Sequence, residues 1–225
     1  MCHRALAALL PLRCLACPEL TRGSELSPLL CARCVQGLRA LRDSVWTIDG
    51  TSVIAAFHYT GLVRTLVQEL KFRGTLGAAV PLGRALGKAL GELPPGPVLI
   101  VPVPLHWRRR WHRGHNQSAA LARVVATSRP GFTVLAALCK TRATPPQVGL
   151  DGDRRRSNVQ GAFVVRRGRA HRIRGARVVV VDDVATTGAT LRAVRDCLVA
   201  AGATEVTLAA AAVAVAEVPS GLSLG

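Results

Sequence analysis

The sequence predicts an α/β fold in which a mostly parallel sheet is covered by helices on both faces, preceded by a small cysteine-bearing module. Three observations predict this fold class. Short apolar, β-branched runs alternate with segments whose apolar residues recur at helical spacing. One run, Val178–Val181, consists of four consecutive valines, as expected of a strand buried on both faces. Near the start of the chain, four cysteines form two pairs, Cys14-x2-Cys17 and Cys31-x2-Cys34.

The composition is that of a globular protein with an unusual excess of arginine. The chain has 225 residues, of which 49% are hydrophobic and 19% charged, so it can bury a core. It carries 30 Lys and Arg against 13 Asp and Glu, and lysine occurs only at Lys71, Lys88 and Lys140. Because the planar guanidinium fork matches phosphate oxygens, this excess favours a phosphate-bearing ligand, nucleotide or nucleic acid, as much as it favours a solvated arginine-rich surface.

The N-terminal apolar run does not predict a signal peptide. Residues Ala5–Leu12 are apolar, but Pro11 interrupts them and no small-x-small cleavage site follows. Elsewhere the chain lacks the ~18 consecutive apolar residues of a membrane span. We therefore expect a cytoplasmic protein that is not inserted in a membrane.

The paired cysteines predict a structural zinc site in a module spanning residues 1–45. Two Cys-x2-Cys turns can present four sulfurs, those of Cys14, Cys17, Cys31 and Cys34, to one tetrahedral ion. Two disulfides are the alternative, but a reducing compartment favours zinc. With four protein ligands the ion would be closed to water and would take no part in chemistry.

The remainder, residues 46–225, alternates strand-like and helical patterns. TSVIAAFHY (51–59) predicts a strand, and apolar residues at helical spacing then predict a helix that ends near Gly74. A second helix is expected over residues 76–90. Pro94–Pro97 breaks the chain, and VLIVPV (98–103) predicts the next strand.

The second half of this region continues the pattern. Asn116 is expected to cap a helix. FTVLAAL (132–138) is a possible strand, and the polar residues 139–160 predict a long mobile loop. The remaining predicted elements are the strand AFVV (162–165), the strand Val178–Val181, a helix carrying Leu191, Val194 and Leu198, and the strand VTLAAAAVAV (206–215).

A phosphate-binding turn is predicted where the valine strand ends. Asp182 and Asp183 follow the valines, and Thr186, Thr187, Gly188, Ala189 and Thr190 then lead into a helix. Backbone N–H groups, hydroxyls and the helix dipole favour a phosphate there, and glycine lets the backbone approach it closely. Two carboxylates suit a vicinal diol, so phosphate and diol together describe a ribose 5-phosphate. Helix capping alone would explain one or two of these residues.

Other nucleotide-binding motifs are missing. Gly83–Lys88 has three residues between its glycines where a P-loop has four, and Ala89 stands where Ser or Thr must bind magnesium. No Gly-x-Gly-x-x-Gly follows a strand, so dinucleotide binding is not expected.

The motifs together resemble those of the ComF family, competence-associated proteins of the type I phosphoribosyltransferase group. The stretch VDDVATTGATL resembles the binding motif for phosphoribosyl pyrophosphate (PRPP) in that group. The other resembling stretches are LKFRG (70–74), VPVPLHWRRRWHRGHNQ (101–117), TPPQ (144–147), RRSN (155–158) and NVQGAF (158–163). With the cysteines, the resemblance spans roughly residues 10–213.

The resemblance implies a role for each part of the site. Asp182 and Asp183 would hold the ribose hydroxyls, and residues 186–190 the 5-phosphate. Residues implied to face the pyrophosphate are Pro104, Leu105, His106, Arg109, Arg113, Gln147 and Arg155. His115 departs from the family, which usually has an aromatic residue such as phenylalanine there. We interpret His106, His112 and His115 as solvated or facing pyrophosphate and not as a metal site.

Two functions follow from the resemblance, and the charge of the chain leaves a third, general nucleic-acid binding that would depend strongly on salt and would not need Asp182. A transferase would bind PRPP with Mg²⁺ and displace pyrophosphate from ribose C1 by an acceptor, mainly through positioning and electrostatic stabilisation. A non-catalytic PRPP- or nucleotide-binding module would instead act in DNA uptake through DNA or a protein partner. No extra acidic base stands between the aspartates and the threonines, since Val184 and Ala185 occupy those positions.

Overall fold

The computed structural model describes residues 12–21, 29–41, 43–107, 111, 113–141 and 161–214. Its strands are β1 (Leu12–Arg13), β2 (Leu20–Thr21), β3 (Val45–Ile48), β4 (Thr51–His58), β5 (Val98–Pro102), β6 (Phe132–Val134), β7 (Leu138–Lys140), β8 (Phe163–Val165), β9 (Arg177–Ala185) and β10 (Glu205–Val213). Its helices are α1 (Ala32–Gln36), α2 (Gly61–Gln68), α3 (Ala79–Ala89), α4 (Gln117–Thr127), α5 (Ala170–Ile173) and α6 (Ala189–Ala200). A π-helical turn, Glu69–Arg73, extends α2, and a 3-10 turn, Leu76–Ala78, precedes α3.

A six-stranded sheet forms the centre, in the order β3-β4-β10-β9-β5-β6. Within this sheet only the β3–β4 pair is antiparallel. The predicted mostly parallel sheet is therefore confirmed. The antiparallel edge strand β3 was not predicted, although all four of its residues favour strands.

Helices cover both faces of this sheet, as predicted. On one face α2, α3 and α4 pack through apolar residues such as Leu66, Leu82 and Leu121. On the other face α5 and α6 pack through residues such as Ile173 and Leu198. The valines of β9 divide between the two faces, since Val179 and Val181 belong to the first core and Val178 and Val180 to the second. Each of the four is fully buried, which explains the unbroken apolar run.

Two expectations between β6 and β9 need adjustment. β6 ends at Val134, so the possible strand over 132–138 splits into β6 and the start of β7. β7 and β8 pair antiparallel in a small separate sheet, so AFVV lies outside the main sheet. Cys139 and Lys140 therefore belong to a strand and not to a loop. The rest of that predicted loop, from residue 142 to 160, lies outside the described residues.

The cysteine segment packs directly on the first face of the sheet. Strands β1 and β2 form a two-stranded antiparallel ribbon, and α1 begins directly after Cys31. Cys14, Leu30 and Cys31 are buried in the same apolar cluster as Phe57 and Leu66 of the main domain. The segment therefore shares its core with the larger domain. No helix in the described part of the chain is long and apolar enough to cross a membrane.

Candidate functional site

The aspartates and the threonine loop lie at the carboxyl ends of adjacent parallel strands. β9 runs beside β5, with Val181 opposite Pro102, and the N–H of Val103 donates to the carbonyl of Val181 at 2.9 Å. The helix after β5, α4, covers one face of the sheet, whereas α6, which follows β9, covers the other. The chain therefore leaves β5 and β9 toward opposite faces of the sheet. Ligands of open α/β folds bind at such a point.

Asp182 is held by two hydrogen bonds. Its Oδ1 accepts from the Ser118 hydroxyl at 2.8 Å and from the backbone N–H of Asp183 at 2.9 Å. Burial and the neighbouring Asp183 carboxylate raise the pKa of Asp182 to about 7, although the two hydrogen bonds and Lys71 oppose the rise. Both protonation states of this carboxyl are therefore accessible near neutral pH.

Ser118 owes its position to the start of α4. The Asn116 side chain caps this helix by accepting from the N–H of Ser118 at 3.0 Å, as the sequence predicted. The amide of the same side chain donates to the carbonyl of Val103 at 3.0 Å. Asn116 therefore ties the first turn of α4 to the end of β5, which brings the Ser118 hydroxyl to Asp182.

Asp183 is buried, with one oxygen paired and the other not. Lys71 Nζ lies 3.1 Å from its Oδ1. Its Oδ2 is buried without a hydrogen-bond partner among the described residues. A buried carboxylate oxygen without a donor is costly, so this atom is a strong candidate to accept from a ligand.

The turn after β9 has the features of an anion site. Gly188 adopts a left-handed conformation, with φ of 68°, directly before α6. No side chain of the described residues caps α6, and its first turn has no acidic residue. The hydroxyl of Thr187 accepts only a long contact from the N–H of Ala189, at 3.5 Å. Asp182 and residues 184–191 line a small cavity of about 30 Å³. The free N–H groups at the start of this 12-residue helix therefore border a concave site.

An arginine on α6 fastens a hairpin beside this turn. Arg192 donates to the carbonyls of Ile48 and Asp49, both at 3.3 Å, and to the hydroxyl of Thr51 at 3.1 Å. Asp49 forms a tight turn with Gly50, in which both φ angles are positive, and Ile48 and Thr51 flank this turn. The contacts hold the start of α6 against the edge of the sheet.

The residues implied to face pyrophosphate are only partly described. Pro104 and His106 are buried and Leu105 is half-buried in the turn after β5. His106 forms an isolated bridge with Lys140, so β7 adjoins this turn. Arg113 stacks over the ring of Phe72, 5.0 Å from its centroid. Arg109, Gln147 and Arg155 lie outside the described residues.

His115 is half-buried and His106 is buried. The ring nitrogens of His115 contact the carbonyl oxygens of Arg113 and Leu70. The imidazole therefore links the loop before α4 to the π-helical turn that carries Lys71. His106 is buried with its ring 5.6 Å from that of Trp107. His112 lies outside the described residues.

The four cysteines of the first module converge as a metal site requires. Their sulfurs all lie within 4.8 Å of one another, and the Cys17 sulfur is 3.6 Å from those of both Cys31 and Cys34. Tetrahedral zinc with bonds of about 2.3 Å separates its sulfurs by about 3.8 Å, so the spacing fits the ion. All four thiols are free, which does not support the disulfide alternative. Burial and the neighbouring sulfurs raise the pKa of Cys34. A bound cation would favour the thiolate and so oppose this rise.

Three site residues escaped the sequence interpretation. Lys71 lies in the stretch LKFRG (70–74), to which no role was assigned. Ser118 directly follows Gln117, and Arg192 lies in the helix after the threonine turn. Lys71 could have been suspected, because lysine is rare in this chain and two carboxylates need a cation. Nothing local distinguishes Ser118 or Arg192.

Comparisons with known proteins place the chain among homologues. The family model described as phosphoribosyl transferase domain matches residues 121–220. The chain is 30% identical over 197 residues to the DNA utilization protein YhgH of Salmonella typhi, covering 84% of this chain and 80% of that protein. It is 30% identical over 154 residues to Competence protein F of Haemophilus influenzae, covering 66% of this chain and 67% of that one. The solved glutamine PRPP amidotransferase from B. subtilis is 20% identical with a TM-score of 0.42, over 64% of this chain and 30% of its own.

Proposed function

Since this chain belongs to the ComF family of phosphoribosyltransferase-like proteins, we propose that it binds PRPP with Mg²⁺ and transfers the phosphoribosyl group to an acceptor, releasing pyrophosphate. One observation carries the proposal. An oxygen of Asp183 that is buried without a partner among the described residues lies beside Asp182 at the end of β9, shortly before the start of α6. Carboxylate acceptors next to an anion site match a ribose that carries a 5-phosphate.

The two aspartates would hold the ribose hydroxyls. Asp183 Oδ2 has no donor among the described residues, so a ribose hydroxyl would satisfy it. Asp182 is fixed through Oδ1 by Ser118 and by the N–H of Asp183, which leaves its other oxygen to a second hydroxyl. The carboxylates that would accept hydrogen bonds from the diol are thus oriented before it binds.

The 5-phosphate would lie in the turn formed by Thr186, Thr187, Gly188, Ala189 and Thr190. The turn offers backbone N–H groups, three hydroxyls and the positive end of α6. The glycine brings the backbone close to the anion without a side chain in the way. Arg192 would act indirectly, by holding α6 against the Asp49–Gly50 hairpin.

The pyrophosphate would extend toward the turn after β5. Pro104, Leu105 and His106 leave the strand next to β9, and Arg113 lies beyond them over Phe72. Arg109, Gln147 and Arg155, outside the described residues, complete the proposed set. Guanidinium groups would stabilise the charge that grows on the leaving pyrophosphate.

The carboxylates fit a magnesium ion bound with PRPP. Mg²⁺ prefers hard oxygen ligands and is usually held by one or two carboxylates together with substrate phosphates. Here the ion would be held mostly by oxygens of the pyrophosphate and the ribose and by water, and Asp182 and Asp183 would act on it through the ribose hydroxyls that they bind. When bound, the ion would neutralise charge on the pyrophosphate. The chain's own residues would position ribose C1 for attack and hold the ribose and phosphate ends apart.

We also propose that the four cysteines hold a structural zinc ion in a module spanning residues 1–45, with the phosphoribosyltransferase-like domain following over residues 46–225. All four sulfurs would be ligands, so the ion would stabilise the ribbon and take no part in transfer. Because Cys14 and Cys31 share a core with Phe57, zinc would also support the face of the sheet that carries α2 and Lys71.

A second candidate is a PRPP- or nucleotide-binding module that acts in DNA uptake without transfer. The names of the relatives, DNA utilization protein and competence protein, favour it.

Calorimetric titration with PRPP and Mg²⁺, followed by a pyrophosphate-release assay across nucleobases and small amines, tests both candidates. Binding with release supports transfer, and saturable binding without release supports the binding module. The variant Asp182→Asn/Asp183→Asn should lose PRPP affinity. As a matched control, Asp43→Asn/Asp196→Asn removes the same charge from exposed positions and should bind as the wild type does. Equal affinity of both variants would contradict the proposed site.

A further inference from the structure

A dense group of exposed arginines lies outside the proposed PRPP site. We name it the arginine cluster, and it comprises Arg166, Arg167, Arg169, Arg172 and Arg174. All five side chains are exposed, as is the neighbouring His171. No acidic residue occurs between residues 166 and 177. The charges of the cluster are therefore not neutralised by acidic residues of the same segment.

The fold holds this surface in place at the other end of the sheet. Ile173 is fully buried and anchors the segment in the second core. The N–H of Arg174 donates to the carbonyl of Ala170 at 3.1 Å, and the N–H of Gly175 donates to that of Gly202 at 2.8 Å. The segment leads directly into the amino end of β9, whereas the aspartate pair lies toward its carboxyl end. The cluster is thus separated from the proposed PRPP site by the length of the strand.

The arginines lack counter-charges in the described part of the chain. Arg166 donates to a backbone carbonyl, that of Leu138, at 3.0 Å. The nearest acidic residue along this edge, Glu205, is already paired with Arg177 at 2.9 Å. No ion pair joins a described carboxylate to any arginine of the cluster. Five like charges on a short segment repel one another, and a bound polyanion would relieve that repulsion.

The chemistry of the surface suits the phosphodiesters of a nucleic acid. Guanidinium groups bind phosphate oxygens through two parallel hydrogen bonds. Residues 166–177 include no Phe, Tyr or Trp and no exposed large apolar residue, so the surface offers no apolar face to insert into lipid. Arg172 also lines a cavity of about 350 Å³ beside Pro95–Pro97 at the same edge, so the surface is concave there.

We propose that the arginine cluster is a docking surface for the phosphodiester backbone of a nucleic acid, which it binds without sequence preference. Phosphate contacts position a nucleic acid and carry no sequence information, and charge on an exposed segment is sufficient for such contacts. The inference goes beyond PRPP binding and does not depend on it, because the two sites lie at opposite ends of β9.

The test compares two variants that lose the same charge. The cluster variant is Arg167→Gln/Arg169→Gln/Arg172→Gln/Arg174→Gln, and the control variant is Arg39→Gln/Arg64→Gln/Lys88→Gln/Arg123→Gln, all at exposed positions. Affinity for a fluorescent oligonucleotide of mixed sequence is measured across a salt series by anisotropy. The slope of log affinity against log salt should fall by roughly 3 in the cluster variant, since each lost phosphate contact removes about 0.7 to 0.9. The control variant should keep the wild-type slope.

Further variants and ligands separate the alternatives. Replacing the same four arginines by lysine should preserve the slope, because the charges remain, and it provides a second measurement if the glutamine variant fails to fold. Equal weakening of the cluster and control variants would overturn the proposal in favour of net charge alone. Loss of binding to anionic phospholipid vesicles with unchanged DNA binding would overturn it in favour of a membrane. PRPP titration of both variants should match the wild type, so failure of the PRPP proposal would be visible separately.

Discussion

Lys71 Nζ lies 3.1 Å from Oδ1 of Asp183, and this ion pair joins two segments that are more than a hundred residues apart in the chain. Lys71 belongs to the π-helical turn Glu69–Arg73, and Asp183 to the end of β9. The lysine side chain is 21% exposed and that of the aspartate 6%, so the pair is largely shielded from solvent. π-Helical turns are frequent at functional sites, and here the turn directs the lysine to the proposed ribose pocket.

Replacing Lys71 by Met should destabilise the protein. The substitution would leave the Asp183 carboxylate buried without its cation, and because Lys71 is partly exposed the free energy of unfolding should fall by about 2 kcal/mol, less than for a fully buried pair. Urea denaturation measures the loss. Lys88→Met, at an exposed position, should change stability by less than about 0.5 kcal/mol. If Lys71→Met and Asp183→Asn are additive when combined, the ion pair does not stabilise the fold.

PRPP affinity should rise with pH through neutrality. The pKa of Asp182 is raised from 3.8 to about 7, by burial and by the Asp183 carboxylate, so a fraction of the free protein is protonated there at neutral pH. A ribose diol and a cation both favour the ionised carboxylate, so binding should release a proton and strengthen up to a plateau above about pH 8. Titrations in buffers of different ionisation enthalpy measure that proton.

The same shift makes a prediction for the unliganded protein. Because the pKa of Asp182 is higher in the folded than in the unfolded protein, its protonation stabilises the fold. This contribution to the free energy of unfolding is fully present below about pH 4 and is lost as the pH rises through 7, which urea denaturation across that range measures.

Ser118→Ala removes a hydrogen bond to the ionised form of Asp182 and should move the pH profile of PRPP binding to higher pH. Ser44→Ala removes a hydroxyl bonded elsewhere, to the carbonyl of Ala89, and should leave the profile unchanged. A profile insensitive to Ser118 would remove its role in setting the Asp182 charge.

Gly188→Ala should weaken PRPP binding, whereas Gly91→Ala, with a similar loss of stability, should not. The left-handed φ of 68° costs an alanine about 1 kcal/mol, and its Cβ would lie 3.3 Å from the Arg192 guanidinium, which holds the neighbouring hairpin. Gly91→Ala imposes similar backbone strain, at φ of 58° with no atom within 4 Å, far from the threonine turn. Thermal melting should show similar losses, whereas calorimetry should show weaker PRPP binding for Gly188→Ala alone. Equal binding by both variants would contradict a phosphate at this turn.

Cys31→Ser should release zinc and destabilise the first face of the sheet. Cys31 is a proposed ligand and lies in the core shared with Phe57, so its loss should act beyond the ribbon. Metal analysis should find one zinc per chain in the wild type and none in the variant, with a lower melting temperature. Cys139→Ser, at a half-buried cysteine outside the cluster, should keep the metal. Unchanged zinc content in Cys31→Ser would exclude this ligand set.

The local features of the chain were predictable because short-range physics determines them. The valine run, the aspartate pair and the threonine turn stand next to one another, so strand, site and helix start could be located from adjacent residues alone. The same holds for the Cys-x2-Cys turns and for the Asn116 cap, which the structure confirms through the Ser118 N–H. Periodicity also predicted a mostly parallel sheet covered on both faces, because each element carries its own apolar pattern.

What the tertiary structure decided are the contacts between segments distant in sequence. Nothing near Lys71 indicates that it pairs with Asp183, and nothing near Ser118 indicates that it bonds Asp182. Their positions depend on which face α2 and α4 cover and on strand order, and these follow from packing the whole chain. The edge pairing of β3 and the small β7–β8 sheet depend on packing in the same way. The sequence by itself determined the chemistry available at the end of β9, and the fold determined the charge balance of Asp182 and Asp183, because that balance depends on burial and on cations that distant segments supply.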